Sequence, residues 1–460
     1  MKRFFCGLLV FLFLAASVPS TVFADDTAPV KKLSWPEAPE ITAAGAIVME
    51  ASTGTILYEK NAYEAYYPAS TTKLMTSLLA IEQCPLSDVV TCSYNSIHSI
   101  DKDSSRIGLT VGEQVTMEEA LYAILLASAN EVSYAVAEHI GGTIDNFVAM
   151  MNKRAAELGC VNTNFKNPHG LDNEEHVTCA YDLALITKQA ISYTTFRRIS
   201  GSYYYEIPET NLNVARPIGN THQIIRKIIK YDGVFAGKTG HTSIAKNSLV
   251  TCAERDGLTL ICVVMREDTS EQAYTDTIAL LDYSFKNFHL YELSTSDMAS
   301  KNAFPALFED KDALVFDVQS PLSISSTSLV LPLEADLSDL TKQVELVPST
   351  SFAEGNNIIG KVSYYYADNY AGSAEIMYYS SRPVTLVADS SSDEEVTATL
   401  SGNTNSYGGK IEDSGKDLRP LIIGAIVFLL TLVLGGYVVL IELPYRKRKK
   451  EYLKRKRSEY

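Results

Sequence analysis

The sequence predicts an α/β (α+β) domain, an antiparallel sheet packed by helices, followed by a small all-β domain and a C-terminal transmembrane helix. Three observations predict it. Apolar, β-branched runs stand at both ends of residues 41–290 with helical patterns between them, which suggests one sheet built from both chain ends. Short strands separated by turn residues follow in 291–387. Leu421 to Ile441 is a run of 21 uncharged residues. At about 1.5 Å per residue it spans roughly 30 Å, the thickness of a hydrocarbon core.

Taken in order, Ala43 to Glu50 and Thr55 to Glu59 read as strands around the turn Ala51-Ser52-Thr53-Gly54. Pro68 to Lys73 opens an apolar helix running through Ile81. Met117 to Ile140 is Ala/Leu-rich and helical, broken near Ser128-Ala129-Asn130. Thr143 caps a helix that Gly159 stops, and Tyr181 to Ile191 forms another. Ser248 to Ala253 and Leu258 to Met265 flank Asp256-Gly257 as antiparallel strands, and Ser270 to Phe288 closes the region as a helix. Beyond Leu290, the segments Ala313 to Val318, Ser328 to Pro332, Gln343 to Val347, Ile358 to Tyr366 and Gly372 to Tyr379 read as strands. Residues 388–419 are rich in Ser, Asp, Glu, Gly and Asn, the composition of a flexible stalk.

Charge and the two apolar runs bear on compartment. The net charge is −15, with +6 in 442–460 and +2 at Lys2 and Arg3, which leaves −23 between them. So acidic a body excludes a nucleic-acid binder, which needs basic surface against phosphates. Lys2 and Arg3 precede the apolar run Phe4 to Val18, and small residues end it near Ala24. Residues 1–24 therefore read as a secretory signal peptide, followed by an N-terminal segment at 25–40. The basic tail 442–460 after the run at 420–441 stays cytoplasmic by the positive-inside rule. The expected location is the cell membrane, single-pass, with residues from about 25 to 419 outside. Six cysteines remain after signal removal, with no zinc-type spacing. Cys252 and Cys262 could lie cross-strand, but free, buried thiols are the expected state.

Three short motifs carry chemistry. Ser70-x-x-Lys73 opens a helix, Ser128-x-Asn130 sits at a helix break, and Lys238-Thr239-Gly240 precedes the strand hairpin. Residues i and i+3 share a helix face, so Lys73 can reach the Ser70 hydroxyl. A hydroxyl is a poor nucleophile until a base takes its proton. A lysine can be that base only if its charged form is disfavoured, and burial beside a second cation such as Lys238 acts in that direction. Ser128 offers a proton relay to a leaving amine. Asn130 offers an amide to orient Lys73 and a substrate carbonyl. Lys238 and Thr239 can grip a carboxylate. Gly240 would let a substrate backbone approach the strand edge, and the backbone N–H groups of Ser70 and His241 could hold an oxyanion.

On these motifs the chain resembles the low-molecular-mass penicillin-binding proteins, the serine-type D-Ala-D-Ala carboxypeptidases of the S11 peptidase family. The likeness also rests on Ala51 to Tyr58, Pro68 to Thr76, Leu125 to Glu138, Asn167 to Asp172 and Lys238 to Thr242, and covers about 41–290. Residues 355–379 look like the family's C-terminal β domain. The resemblance implies a serine transpeptidase/β-lactamase-like fold. It implies removal of the terminal D-Ala from peptidoglycan pentapeptide stems, with Ser70 as nucleophile, Lys73 as base and Ser128 assisting proton transfer. Asn130, Lys238, Thr239, Gly240 and His241 would bind substrate, and β-lactams would acylate Ser70. The expected partners are peptidoglycan stem peptides, β-lactams and the cytoplasmic membrane; neither cofactor nor metal is required. Family members often carry Asp-Gly-Leu before Lys-Thr-Gly; here Phe235-Ala236-Gly237 stands there.

Competing readings are a class A-like β-lactamase and a non-catalytic wall-binding scaffold. Glu209-Thr210-Asn211-Leu212-Asn213 fits a β-lactamase pattern but comes too late in the chain, so Glu209 reads as a turn residue. His169, Asp172 and His176 have no helical metal-ligand spacing and read as a hydrogen-bonded loop. Tyr364, Tyr365 and Tyr366 read as sheet packing rather than a glycan-binding face.

Overall fold

A computed structural model describes residues 33–293, 322–347 and 351–385. The expected signal peptide, stalk, transmembrane helix, basic tail and the strand at 313–318 lie outside the described residues.

The chain begins with a hairpin of β1 (Gly45–Glu50) and β2 (Ile56–Lys60), then α1 (Lys73–Gln83). Next come β3 (Val89–Thr91), α2 (Tyr94–His98), β4 (Gln114–Thr116), α3 (Met117–Leu125), α4 (Asn130–Gly141) and α5 (Ile144–Glu157). The helices α6 (Ala180–Ile191) and α7 (Thr194–Ser200) lead into the hairpin β5 (Tyr204–Ile207) and β6 (Arg216–Gly219). Strands β7 (Val234–Thr242), β8 (Lys246–Arg255) and β9 (Leu258–Glu267) and helix α8 (Ser270–Asn287) complete this part.

The main sheet has the order β2-β1-β9-β8-β7, antiparallel throughout, so the first strands of the chain pair with the last. Its middle strands are buried along most of their length because both faces are covered. Alternation along each strand divides them. Ile47, Met49, Cys252, Ile261 and Val263 enter the core shared with α1, α3, α4 and α6. Ala46, Val48, Leu249, Cys262 and Val264 enter the core under α8. Two helices start at reciprocal capping boxes, Thr116 with Glu119 and Thr269 with Gln272.

That alternation answers the cysteine question. Cys252 pairs in register with Ile261, and Cys262 with Thr251, so the two thiols point to opposite faces. The possible cross-strand pair is not made, and the cysteines at 84, 92, 160, 179, 252 and 262 are all free.

Strand β10 (Phe288–Leu293) continues directly from α8 and pairs with β12 (Thr327–Pro332). Its first residue packs under α8 and its last enters a third core. That core belongs to a β unit of β11 (Leu322–Ile324), β13 (Thr341–Leu346), β15 (Gly355–Tyr366) and β16 (Asn369–Ser380), in sheet order β11-β16-β15-β13, with a small pair β14 (Ser351–Phe352) and β17 (Val384–Thr385). The long β15–β16 hairpin turns at Ala367-Asp368, both at positive φ. Tyr364 and Tyr366 are buried in this core, which accounts for the tyrosine run as packing.

Candidate active site

Ser70 does not stand in an α-helix. It lies in a 3₁₀ turn, Ala69–Thr72, and the α-helix proper begins at Lys73. The i, i+3 relationship survives because side chains three apart eclipse in a 3₁₀ turn. Lys73 Nζ lies 3.0 Å from Ser70 Oγ and donates to Asn130 Oδ1 at 2.6 Å and to the His169 carbonyl at 2.6 Å. Its side chain is wholly buried. Burial first, then the charge of Lys238, holds the Lys73 amine well below its ordinary pKa, while Glu131 acts weakly the other way.

A neutral amine has two N–H bonds and one lone pair. The two carbonyl oxygens can take the N–H groups, which leaves the lone pair facing the serine hydroxyl. The Ser70 N–H has no acceptor among the described residues, so it is open to a developing oxyanion.

The turn is held from three sides. Thr71 Oγ1 donates to the Pro68 carbonyl, and Thr72 Oγ1 meets His176 Nε2 at 2.8 Å. Gly170, at φ +89°, passes so close to Ala69 that a Cβ would lie 1.8 Å from the Ala69 carbonyl oxygen. Gly240 faces the turn across the cleft, where a Cβ would lie 2.9 Å from the Pro68 oxygen and 3.2 Å from the Thr71 nitrogen. At Gly240 the strand thus comes close to the turn that carries Ser70. Ala69 itself takes φ +48°, as Ser128 takes φ +59°. Two non-glycine residues in left-handed backbone beside one site represent local strain that the surrounding packing maintains.

Lys238, Thr239, Gly240 and His241 lie within β7, the edge strand of the sheet, directly before the β8–β9 hairpin. Lys238 is 1% exposed and donates to Ser128 Oγ at 3.1 Å and to the Thr239 carbonyl at 2.8 Å. Burial lowers its pKa to about 7. Ser128 and Asn130 flank the break between α3 and α4, pinned by Asn130 N–H donating to the Ser105 carbonyl. His241 is exposed on the same edge. Hydrogen-bond distances thus join Ser70 with Lys73 and Asn130, and Ser128 with Lys238, while Gly240 packs on the turn of Ser70 and Thr239 and His241 share its strand.

Several partners escape the motif reading. His169 supplies a backbone carbonyl to Lys73, a role no side-chain pattern encodes. Thr221 is bound through its N–H to the Leu126 carbonyl, and its hydroxyl lies 2.9 Å from Thr239 Oγ1. His222 is wholly buried beneath β7, with Nε2 2.9 Å from Thr251 Oγ1; burial and Lys238 hold it neutral, with its pKa lowered to about 3. Ser200 Oγ accepts from Gly237 N–H and donates to the Gly237 carbonyl, and the Arg197 guanidinium lies 3.9 Å over the Phe235 ring. These contacts occupy the Phe235-Ala236-Gly237 stretch.

His169 and His176 are spent on hydrogen bonds. Leu171 N–H donates to His169 Nδ1 at 3.2 Å, and Lys166 N–H to His176 Nδ1 at 2.9 Å. Glu209 is exposed in the β5–β6 loop, as a turn residue should be.

The model of the family described as D-alanyl-D-alanine carboxypeptidase matches residues 32–269. The chain is 35% identical over 298 residues to the D-alanyl-D-alanine carboxypeptidase DacF of Bacillus subtilis, covering 64% of this chain and 73% of the relative. It is 33% identical to DacA of Haemophilus influenzae, covering 55% and 64%. Among solved structures, penicillin binding protein 5 from Haemophilus influenzae aligns with a TM-score of 0.61 at 27% identity, over 75% of this chain and 98% of that one. The Streptomyces K15 DD-transpeptidase aligns with a TM-score of 0.52 at 29% identity, over 55% and 100%. The fold is thus serine transpeptidase-like, and the chain belongs to the D-alanyl-D-alanine carboxypeptidase family.

Proposed function

We propose that this penicillin-binding D-Ala-D-Ala carboxypeptidase removes the terminal D-alanine from peptidoglycan pentapeptide stems through an acyl-enzyme on Ser70. One observation carries the assignment of roles: a fully buried Lys73 amine 3.0 Å from the Ser70 hydroxyl, with two carbonyl acceptors on its other sides. Lys73 takes the hydroxyl proton as Ser70 Oγ attacks the carbonyl of the penultimate residue. The N–H groups of Ser70 and His241 hold the oxyanion. The C–N bond then breaks, and the terminal D-alanine leaves as its amine gains a proton by way of Ser128. Lys238 and Thr239 hold the terminal carboxylate, and Asn130 orients both Lys73 and the peptide. Water next attacks the ester carbonyl as Lys73 takes its proton, the C–O bond to Ser70 breaks, Lys73 returns that proton to Ser70 Oγ, and the shortened stem leaves as a carboxylic acid.

β-Lactams meet the same hydroxyl, and ring opening leaves them attached. Mass spectrometry of the intact protein after penicillin exposure, with peptide mapping, tests the assignment. A long-lived adduct on Ser70, lost in Ser70→Ala, is expected. An adduct on another residue would overturn it, and rapid release of hydrolysed penicillin would select a β-lactamase instead.

We also infer an export signal at 1–24 and a single-pass anchor at 420–441, with the catalytic part outside the cell membrane. The support is the uncharged run at 421–441 and the nine Lys/Arg that follow it. Protease added to intact protoplasts should remove the catalytic part and spare the basic tail; the reverse pattern would overturn this topology.

A further inference from the structure

A cleft of about 620 Å³ opens along β2, at the sheet edge opposite the one that carries Lys238. Four strand spacings separate the two edges, roughly 19 Å. The cleft is therefore not an extension of the active site. One wall is the ring pair Tyr63 and Tyr181, with centroids 4.8 Å apart, and Tyr63 is 45% exposed. Trp35 and Tyr58 also line the cleft, as do Asp368 and Tyr370 from the tip of the β15–β16 hairpin. Trp35 is fixed by its Nε1–H donating to the Leu57 carbonyl at 3.1 Å and by packing on Phe288.

Two features indicate the occupant. The hydroxyls of Tyr58, Tyr63 and Tyr181 and the carboxylates of Glu59 and Asp368 have no hydrogen-bond partner among the described residues. Exposed ring faces thus alternate with open donors and acceptors, which suits a ligand with an apolar C–H face and a hydroxyl- and amide-bearing rim. The acidic rim disfavours anions. The cleft also runs on, sharing Glu59 and Tyr63 with a second recess of about 320 Å³ lined by Asn61, Ala62 and Glu64. A run of two connected recesses along a strand edge fits a polymer better than a compact ligand.

We propose that this cleft binds the uncharged N-acetylated glycan strand of the wall polymer, with sugar rings on Tyr63 and Tyr181 and their polar edges toward Glu59 and Asp368. The proposal rests on the function given above. Its consequence is local: holding the glycan raises the effective concentration of attached stems at Ser70.

Trp35 is the chain's one tryptophan, so its emission reports this cleft directly. The test titrates the full chain in detergent with the β-1,4-linked tetramer of N-acetylglucosamine, which carries no peptide. A saturable change in Trp35 emission is expected. Its midpoint should weaken at least tenfold in Tyr63→Ala and stay near wild type in Tyr63→Phe. In Tyr63→Ala, kcat/KM should fall severalfold on polymeric wall and remain unchanged on a free pentapeptide. No saturable binding by a wild type that penicillin still acylates would overturn the proposal, as would an equal loss on both substrates. Failure of penicillin acylation would count against the function itself, and the titration would still decide the cleft.

Discussion

Lys73 Nζ lies 3.0 Å from Ser70 Oγ, and both remaining directions around that nitrogen are filled by carbonyl oxygens, those of Asn130 and His169 at 2.6 Å each. In the proposed mechanism the pair is a nucleophile and base already aligned before substrate arrives. Replacing Lys73 with methionine removes the base without adding charge. Penicillin acylation should slow by roughly 10²–10⁴-fold, the usual contribution of a positioned base. Stopped-flow acylation checks this; an unchanged rate would sink the assignment of Lys73.

The two buried lysines set the pH profile. Lys73 must be neutral, and burial beside Lys238 already favours that state. Lys238 must be charged to hold a carboxylate, yet burial lowers it to about 7. The proportion of free enzyme with charged Lys238 therefore falls as pH rises through about 7. Since kcat/KM reports the free enzyme, it should decline on that side. Bound carboxylate favours the ammonium, so the decline in kcat should come at higher pH. Lys238→Arg should abolish the alkaline decline in kcat/KM, whatever its cost in rate.

Gly240→Ala should push β7 away from the nucleophile turn, because the new Cβ would meet Pro68 oxygen and Thr71 nitrogen, both backbone atoms. Overpacking of this kind costs about 1–3 kcal/mol. A lower Tm together with slowed acylation is expected, and a variant with wild-type acylation would refute the close approach.

Thr221→Val should test a residue the motifs do not include. Its hydroxyl, 2.9 Å from Thr239 Oγ1, orients the hydroxyl proposed to meet the substrate carboxylate. Losing one such hydrogen bond is worth about 1 kcal/mol. We expect a severalfold rise in KM for a carboxylate-ended peptide and a small change in kcat. Unaltered KM would remove Thr221 from the site.

Away from the cleft, Glu267 and Asp276 form a buried carboxyl pair that receives the start of the sheet. Thr42 and Ala43 N–H groups donate to Asp276 Oδ2 at 2.7 and 2.9 Å. Burial, then Asp276, raises Glu267 to about 8 from an ordinary 4.5. The folded protein thus holds this proton more tightly than the unfolded chain. Stability from this group is present in full below about 4.5 and is lost as pH rises toward about 8. Glu267→Gln should flatten the fall in Tm across that window, as calorimetry can measure; an unchanged slope would count against a shared proton.

Much of this molecule follows from local sequence. Residues such as Ile47 and Met49 alternate with Ala46 and Val48, so a two-faced strand was readable, and the caps at Thr143 and Gly159 delimit their helix as expected. The proximity of Lys73 to Ser70 was legible from their spacing, because residues three apart share a face. What the chain alone could not reveal depends on distance across the fold. The His169 carbonyl meets Lys73 from 96 positions away, and any residue type offers a carbonyl. The packing of Gly240 depends on which backbone faces it, here Pro68 to Thr71. Cys252 and Cys262 differ by one step of register, and a period of two turns that step into opposite faces. Side-chain identity is written residue by residue, whereas burial, backbone partners and register arise only when remote segments pack together.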